Sequence, residues 1–279
     1  MPDLGTPGRT IEILRKFGLR AQKKYGQNFL VEPRILEKIV EAAGITEETK
    51  VLEIGPGIGT LTQYLAYAAG HVTAVEIDRA LLAVLAETLS GRDNVEIISG
   101  DILKIDLPAI LCGPAPWKIV ANLPYYVTTP ILMELLERDL PVTDITVMVQ
   151  KEVADRMVSG PGTKDYGALS LAVQYRCIPE IVFTVPPSCF LPRPNVESAV
   201  VHLRMRKERI EVADEKALFA LIKAAFGQRR KTLVNALANA PELSLSKEQA
   251  REAVLSCGLP ETVRGEQLTL EDFVLMLQS

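Results

Sequence analysis

The sequence predicts a doubly wound α/β domain with a mostly parallel sheet, followed by a small all-helical domain. Three observations carry this expectation. Short apolar runs alternate with helix-length segments from about residue 33 to residue 149, the spacing that parallel strands with helical crossovers require. A glycine-rich turn, Gly55-Pro-Gly-Ile-Gly59, directly follows the first of those runs, where a strand must turn sharply into a helix. From Asp214 onward the apolar residues recur at helical spacing. A chain of 279 residues holds about two domains, and 48% hydrophobic content gives both a core.

The elements read in order as follows. Residues 1–33 form a basic arm. Pro33 stands where a first helical residue belongs, and Ile35, Leu36, Ile39 and Val40 follow at helical spacing up to Gly44. Strand and helix then alternate: 51–54 strand, 61–69 helix, 72–75 strand, 80–89 helix, 95–98 strand, 119–121 strand, 131–136 helix and 145–149 strand. Two further β-rich runs, 181–185 and 199–203, lie close enough to form a hairpin finishing the sheet. Asp214 reads as the N-cap of a helix reaching Ala225, Ser246 and Gln249 as a capping box for a helix stopping at Gly258, and Thr269 with Asp272 as the start of the last helix. The expected domains are therefore the arm 1–33, an α/β domain 34–207 and a helical domain 208–279.

Composition excludes several functions. Only His71 and His202 occur, so metal sites or proton relays built from several histidines are not expected. The four cysteines, at 112, 177, 189 and 257, lack C-x-x-C spacing and read as core residues of a reducing compartment. No apolar run followed by a small-residue cleavage site marks a secretory signal, so the cytoplasm is the default location. The longest uncharged stretch, 54–75, holds three glycines in its turn and is not a membrane span. Lys and Arg number 31 against 35 acids, a net charge of -4. That mean conceals two basic islands. Residues 1–34 carry seven basic and three acidic residues, and residues 193–232 carry ten against five, leaving the remainder at -13. Basic islands on an acidic body suit a polyanion held along one track, or equally a pair of solvated faces.

Three motifs carry chemistry. The glycines at 55, 57 and 59, with Glu53 before them, follow G-x-G-x-G rather than the dinucleotide spacing G-x-G-x-x-G, and look like motif I of the S-adenosylmethionine-dependent methyltransferases. Glu76 ends the next strand, where a carboxylate accepts the ribose hydroxyls of a nucleoside in either cofactor class. Asp101, in Ser99-Gly-Asp-Ile102, is placed to accept from an adenine amino group, or to close a turn. The decisive motif is Asn122-Leu-Pro-Tyr125 after a strand. An adenine N6 lone pair is delocalised into the ring; the Asn122 side-chain oxygen and the Leu123 carbonyl could each accept one N6–H and localise it. Pro124 fixes the turn and removes a competing donor, and Tyr125 offers a face for an extruded base.

With Gln27-Asn-Phe-Leu30, Tyr166-Gly-Ala-Leu-Ser170, Phe190-Leu-Pro-Arg-Pro-Asn-Val-Glu-Ser198 and Ala225-Phe-Gly-Gln-Arg-Arg-Lys-Thr-Leu233, these motifs resemble the ribosomal RNA adenine dimethyltransferases of the KsgA type. The resemblance implies a Rossmann-like class I methyltransferase domain and S-adenosylmethionine as cofactor. Gln27, Asn28 and Leu30 would close over it, Gly55 and Gly57 line its methionine end, Glu76 hold the ribose and Asp101 the adenine. Asn122 would meet both cofactor and target amine, with Phe190 stacking on the target base opposite Tyr125. It further implies dimethylation of two adjacent adenines in the 3'-terminal hairpin of small-subunit (16S) rRNA within an immature subunit, and a role in ribosome biogenesis. Arg229, Arg230 and Lys231 would dock the RNA. No metal or membrane contact is implied, and a monomer is expected.

Two rivals remain. The macrolide-resistance methyltransferases of large-subunit rRNA are similar but favour Asn-Ile-Pro-Tyr, whereas position 123 is Leu here; DNA adenine and protein glutamine methyltransferases carry Asn-Pro-Pro-Tyr. A largely non-catalytic assembly checkpoint is the other. If the basic islands hold RNA, binding weakens steeply with salt despite the acidic mean. Charge reversal at Arg229 or Arg230 then lowers rRNA affinity more than cofactor affinity, which filter binding across a salt series against cofactor calorimetry checks.

Overall fold

The computed structural model describes residues 3–20, 22, 26–113, 116–208 and 210–278. Its elements begin with helix α1 (Pro7–Lys16), strand β1 (Phe29–Leu30) and helix α2 (Pro33–Ala42). Then come β2 (Lys50–Ile54), α3 (Thr60–Ala68), β3 (His71–Glu76), α4 (Arg79–Thr88), β4 (Val95–Ser99), the one-turn α5 (Leu107–Ile110), β5 (Trp117–Asn122), α6 (Thr128–Glu137) and β6 (Val142–Gln150). Beyond these lie α7 (Lys151–Val158), α8 (Ala168–Arg176), β7 (Cys177–Val185), β8 (Phe190–Leu191) and β9 (Ser198–Met205). The C-terminal helices are α9 (Glu215–Gly227), α10 (Leu233–Ala238), α11 (Lys247–Ser256) and α12 (Leu270–Gln278).

Seven strands form one sheet in the order β4-β3-β2-β5-β6-β9-β7. The first five pair in parallel, and β9 runs antiparallel to β6. This is the doubly wound sheet expected, closed at one edge by the expected β7/β9 pair. Strand order reverses between β2 and β5, the switch point at which such sheets open a crevice. Buried Val51, Val72, Val120, Met148 and Val200 pack against Leu36 and Ile39 of α2 and Leu61 and Leu65 of α3. A second cluster joins Ile58 with Leu81 and Val84 of α4.

The N-terminal arm is more ordered than its charge suggests. Thr6 caps α1, its hydroxyl accepting the Arg9 N–H, and Pro7 starts the helix. Ile13, 2% exposed, packs with Leu4, Leu81 and Val84. Further on, β1 pairs with β8, Phe29 opposite Leu191 and Leu30 opposite Phe190. Three elements in the arm's neighbourhood therefore escaped the sequence reading, two of them strands too short to show a period.

The chain divides into two compact units that interleave. One comprises 1–154 and 179–205, the other 155–178 and 206–279. The helical unit thus takes α8 from inside the span expected to be wholly α/β. Apolar and polar contacts explain why. Tyr166 lies edge-on to Phe226 with ring centroids 5.9 Å apart, and its hydroxyl donates to the Leu268 carbonyl at 2.9 Å. Arg176, 1% exposed, pairs with Glu215 at 2.6 Å, which also accepts from the Tyr175 hydroxyl. Asp214 caps α9, and Ser246 with Gln249 forms the capping box of α11. Among the described residues no helix is long and apolar enough to cross a membrane.

Burial in the second cluster makes α1 part of the fold. Ile13→Ala lowers unfolding free energy by about 2–4 kcal/mol in denaturant titration, whereas Ile11→Ala, at a 38% exposed position, changes it by less than about 0.5 kcal/mol.

Candidate active site

Register assembles the site. Ile54 of β2 lies opposite Val75 of β3 and Ala121 of β5, and Glu76 lies opposite Ser99 of β4. The residues that follow these strand ends, Gly55, Glu76, Asp101 and Asn122, consequently meet at one edge of the sheet, although they are spread along the chain. All four line a single cleft, together with Gly26, Gln27, Asn28, Leu30, Glu53, Gly57 and Tyr125.

Gly55, Gly57 and Gly59 adopt φ of 70°, 61° and 89°, a region side-chain-bearing residues avoid. At Gly57 a Cβ would also sit 3.3 Å from the Phe29 ring, so two constraints coincide there. The Gly57 N–H donates to Glu76 Oε2 at 3.0 Å and the Asp78 N–H to Oε1 at 2.8 Å. Each carboxyl oxygen therefore keeps a lone pair for a further donor. Burial, with the Asp78 charge adding to it, pushes the Glu76 carboxyl above the usual carboxylate range, against backbone bonds from Asp78, Gly57 and Ile77. Asp101 closes its own turn by accepting from the Leu103 N–H at 3.1 Å, with Lys104 3.5 Å away, while remaining on the cleft wall.

Asn122 is oriented by the N-terminal strap, residues 26–31. Its Nδ2 donates to the Asn28 carbonyl at 3.3 Å. Only an amide nitrogen can face a carbonyl in this way, so Oδ1 is the atom turned elsewhere. Leu123 donates its N–H to Met148, and its carbonyl accepts no hydrogen bond among the described residues. The Pro124 carbonyl takes Thr128 Oγ1 and the Val127 N–H, which rigidifies the turn. The Tyr125 hydroxyl sits 2.7 Å from Ser198 Oγ, and burial raises its pKa.

Two expectations are modified. Gln27 lines the cleft, but its amide is already engaged, donating to Asp78 Oδ2 and accepting from the Gln22 N–H. Phe190 does not face the cleft: at 2% exposure it packs with Leu30, Val120, Met148, Val185 and Val200. The stacking opposite Tyr125 that the resemblance implies would require this ring to leave its packing. The pairing of β1 with β8 buries the ring. In the helical unit, Arg229 is bound at both ends of its guanidinium, to Glu266 at 3.0 Å and to the Lys164 carbonyl; Arg230 and Lys231 are exposed.

Sequence reasoning missed Asp78, Gln22 and Ser198, whose partners are remote in the chain. It noted Glu53 without assigning it a role. Glu53 is 1% exposed on the cleft floor. Its Oε2 and the Thr60 hydroxyl are buried with no hydrogen-bond partner. Orphaned acceptors beside three left-handed glycines, with a carboxylate on the next strand, fit a polar nucleoside cofactor with an amino-acid end. Burial, with the Glu76 charge adding to it, pushes the Glu53 carboxyl up to about 8. Between the ordinary value of 4.5 and about 8 the folded chain then holds a proton that the unfolded chain has lost. Stability of the cofactor-free protein falls as pH rises through that window. Glu53→Gln flattens the fall by on the order of a few kcal/mol; unfolding curves at about pH 5 and about pH 8 check this, and an unchanged slope would mean that Glu53 is not buried neutral.

Known proteins resemble this chain along nearly its whole length. The family described as ribosomal RNA adenine dimethylase matches residues 18–278. A protein of Lachnoclostridium phytofermentans named ribosomal RNA small subunit methyltransferase A is 57% identical over 98% of this chain and 96% of its own length. One of the same name from Geobacillus thermodenitrificans is 50% identical over 97% and 94%. Among solved structures, a dimethyladenosine transferase from Plasmodium falciparum superposes with a TM-score of 0.72 at 26% identity, covering 88% of this chain and 95% of that one. The 23S rRNA methyltransferase ErmE gives 0.63 at 28% identity, over 90% and 98%. Matched from residue 18 to residue 278, with relatives of its own length at half or more identity, the chain belongs to the ribosomal RNA adenine dimethylase family and takes its methyl groups from S-adenosylmethionine.

Proposed function

We propose that the protein dimethylates the N6 amines of two adjacent adenines in the 3'-terminal hairpin of small-subunit rRNA, acting as a monomer on an immature subunit in the cytoplasm. The observation that carries this reading is the fixed orientation of Asn122 in a chain whose relatives bear a small-subunit name. S-adenosylmethionine supplies an electrophilic methyl group on a sulfonium. Glu76 holds the ribose hydroxyls with its two remaining acceptor positions, Asp101 takes the adenine amine, and the Gly55 and Gly57 backbone lines the methionine end beside Glu53.

Asn122 Oδ1 and the Leu123 carbonyl would accept the two N6–H bonds of the target base in the first transfer, and one of them the single remaining N6–H in the second. Both acceptors draw the nitrogen lone pair out of conjugation, and the amine attacks while still neutral. As the nitrogen–methyl bond formed, the sulfonium–methyl bond would break and release the cofactor as its neutral thioether; the methylated amine, now cationic, would then give its proton to solvent, so no base of shifted pKa is needed. Tyr125, held by Ser198, stacks on the extruded ring. The helical unit docks the RNA through Arg230 and Lys231, with Arg229 serving first to fasten its own loop.

The test is methyl transfer to under-methylated small subunits, read by mass spectrometry. Dimethyladenosine at two neighbouring positions is expected, and its absence overturns the reading. Methylation of large subunits instead favours the target named for the ErmE structure, to which the fold is also similar. Asn122→Ala lowers turnover about 100-fold, the scale of losing one preorganised hydrogen-bonding group at a reacting centre. Cofactor affinity, measured by calorimetry, changes much less. A deletion strain rescued fully by that variant would assign the biological role to subunit assembly.

A further inference from the structure

Asp78 is 5% exposed, and its carboxylate accepts three hydrogen bonds. Oδ1 accepts the Ala80 N–H at 3.1 Å and caps α4. Oδ2 receives two side-chain amides of the N-terminal segment, Gln27 at 2.9 Å and Gln22 at 3.0 Å. Its backbone N–H is bound to Glu76, the carboxylate that also holds Gly57. Next to Gln27, the Asn28 carbonyl fixes the Asn122 amide. One buried carboxylate thus stands between the cofactor shelf and the strap that forms a cleft wall and orients Asn122. Two amide donors converging on one oxygen need an acceptor-only group there.

We propose that Asp78 is a positioning residue, a latch whose carboxylate fastens the N-terminal strap over the cofactor cleft and thereby presets both cofactor affinity and the orientation of Asn122. Residues 26–30 line the cleft, yet β1 contributes only a two-residue pairing to β8. Burial of Phe29, Leu30 and Val31 and the Val31 N–H bond to the Cys189 carbonyl pin the end of the strap; the side-chain amides on Asp78 anchor its start at Gln27.

The test uses the full-length protein. Asp78→Asn keeps an oxygen for the Ala80 N–H but turns an NH₂ group toward two other NH₂ groups. Asp78→Ser keeps a capping hydroxyl and cannot reach the strap. Each weakens S-adenosylmethionine binding about tenfold in calorimetry without RNA, the scale of one hydrogen bond to a charged group. Limited proteolysis near residues 20–31 accelerates by a similar factor, about tenfold, while the sheet stays resistant. At saturating cofactor the ligand holds the strap closed, and turnover returns to within about threefold of wild type.

Adding Gln27→Glu to Asp78→Asn reverses the polarity of the contact and restores binding to within about threefold. That rescue separates a latch from a general loss of stability, since the capping change is common to both variants. Wild-type binding and wild-type cleavage in Asp78→Asn would overturn the proposal. So would a double variant that binds no tighter than Asp78→Asn alone, or turnover far below wild type at saturating cofactor. Binding and cleavage involve no RNA, so they stand apart from the question of which rRNA is methylated.

Discussion

The parallel register of β2 between β3 and β5 is the constraint on which everything else depends. A strand at a switch point has neighbours reached by connections of opposite direction, so its C-terminal end collects residues from well-separated segments. Here Ile54 faces both Val75 and Ala121, which brings a glycine turn, a ribose-facing carboxylate and an amide to one edge. A slip of one residue would invert every side chain of β2, sending Val51 to the wrong face and Gly55 away from Asn122. The hydrophobic pattern that builds the core therefore also sets the chemistry.

The second requirement is that polar groups be held without water. Glu53, Glu76 and Asp78 are all nearly buried, and a carboxylate removed from water is costly unless donors replace it. The three meet this cost differently. Asp78 accepts three hydrogen bonds, Glu76 two, and burial favours the protonated form of Glu53. The gradient runs from the scaffold to the cleft floor, and the unsatisfied end lies where a ligand's own polar groups enter. Low dielectric strengthens the bonds that are made and penalises those that are missing, so the cleft is stable as a wall and receptive at its base.

Most of the sheet was legible because its elements announce themselves locally. Pro33, Asp214, Ser246 with Gln249, and Thr269 with Asp272 each mark a helix start, and the structure places helices at all four. The glycine turn and the Asn122 motif were legible because a strand precedes each. What escaped depends on partners far away in the chain. Phe29-Leu30 and Phe190-Leu191 are too short for any period, and only their mutual pairing makes them strands. The same pairing buries Phe190, which an isolated motif leaves open to a stacking role. Helix α1 hides behind its charges, since only Thr10 and Ile13 are buried in it and Thr10 breaks the apolar stripe, though Thr6-Pro7 is a usable signal. Arg229 looked like its neighbours until Glu266 was found beside it.

The interleaving of the two units bears on how the protein is made. Helix α8 and Tyr166 just before it leave the ribosome before β7 and β9, yet Glu215, the partner of Arg176, and Leu268, the partner of Tyr166, are synthesised after them. The helical unit therefore cannot finish folding until the last strands of the sheet and then residues 206–279 have emerged. A message truncated just after the sheet would yield a chain that holds the glycine turn and the Asn122 motif but leaves Arg176 without its carboxylate and Tyr166 and Tyr175 without the rings that pack on them. Quality control would meet that product as a misfolded protein rather than as a smaller enzyme.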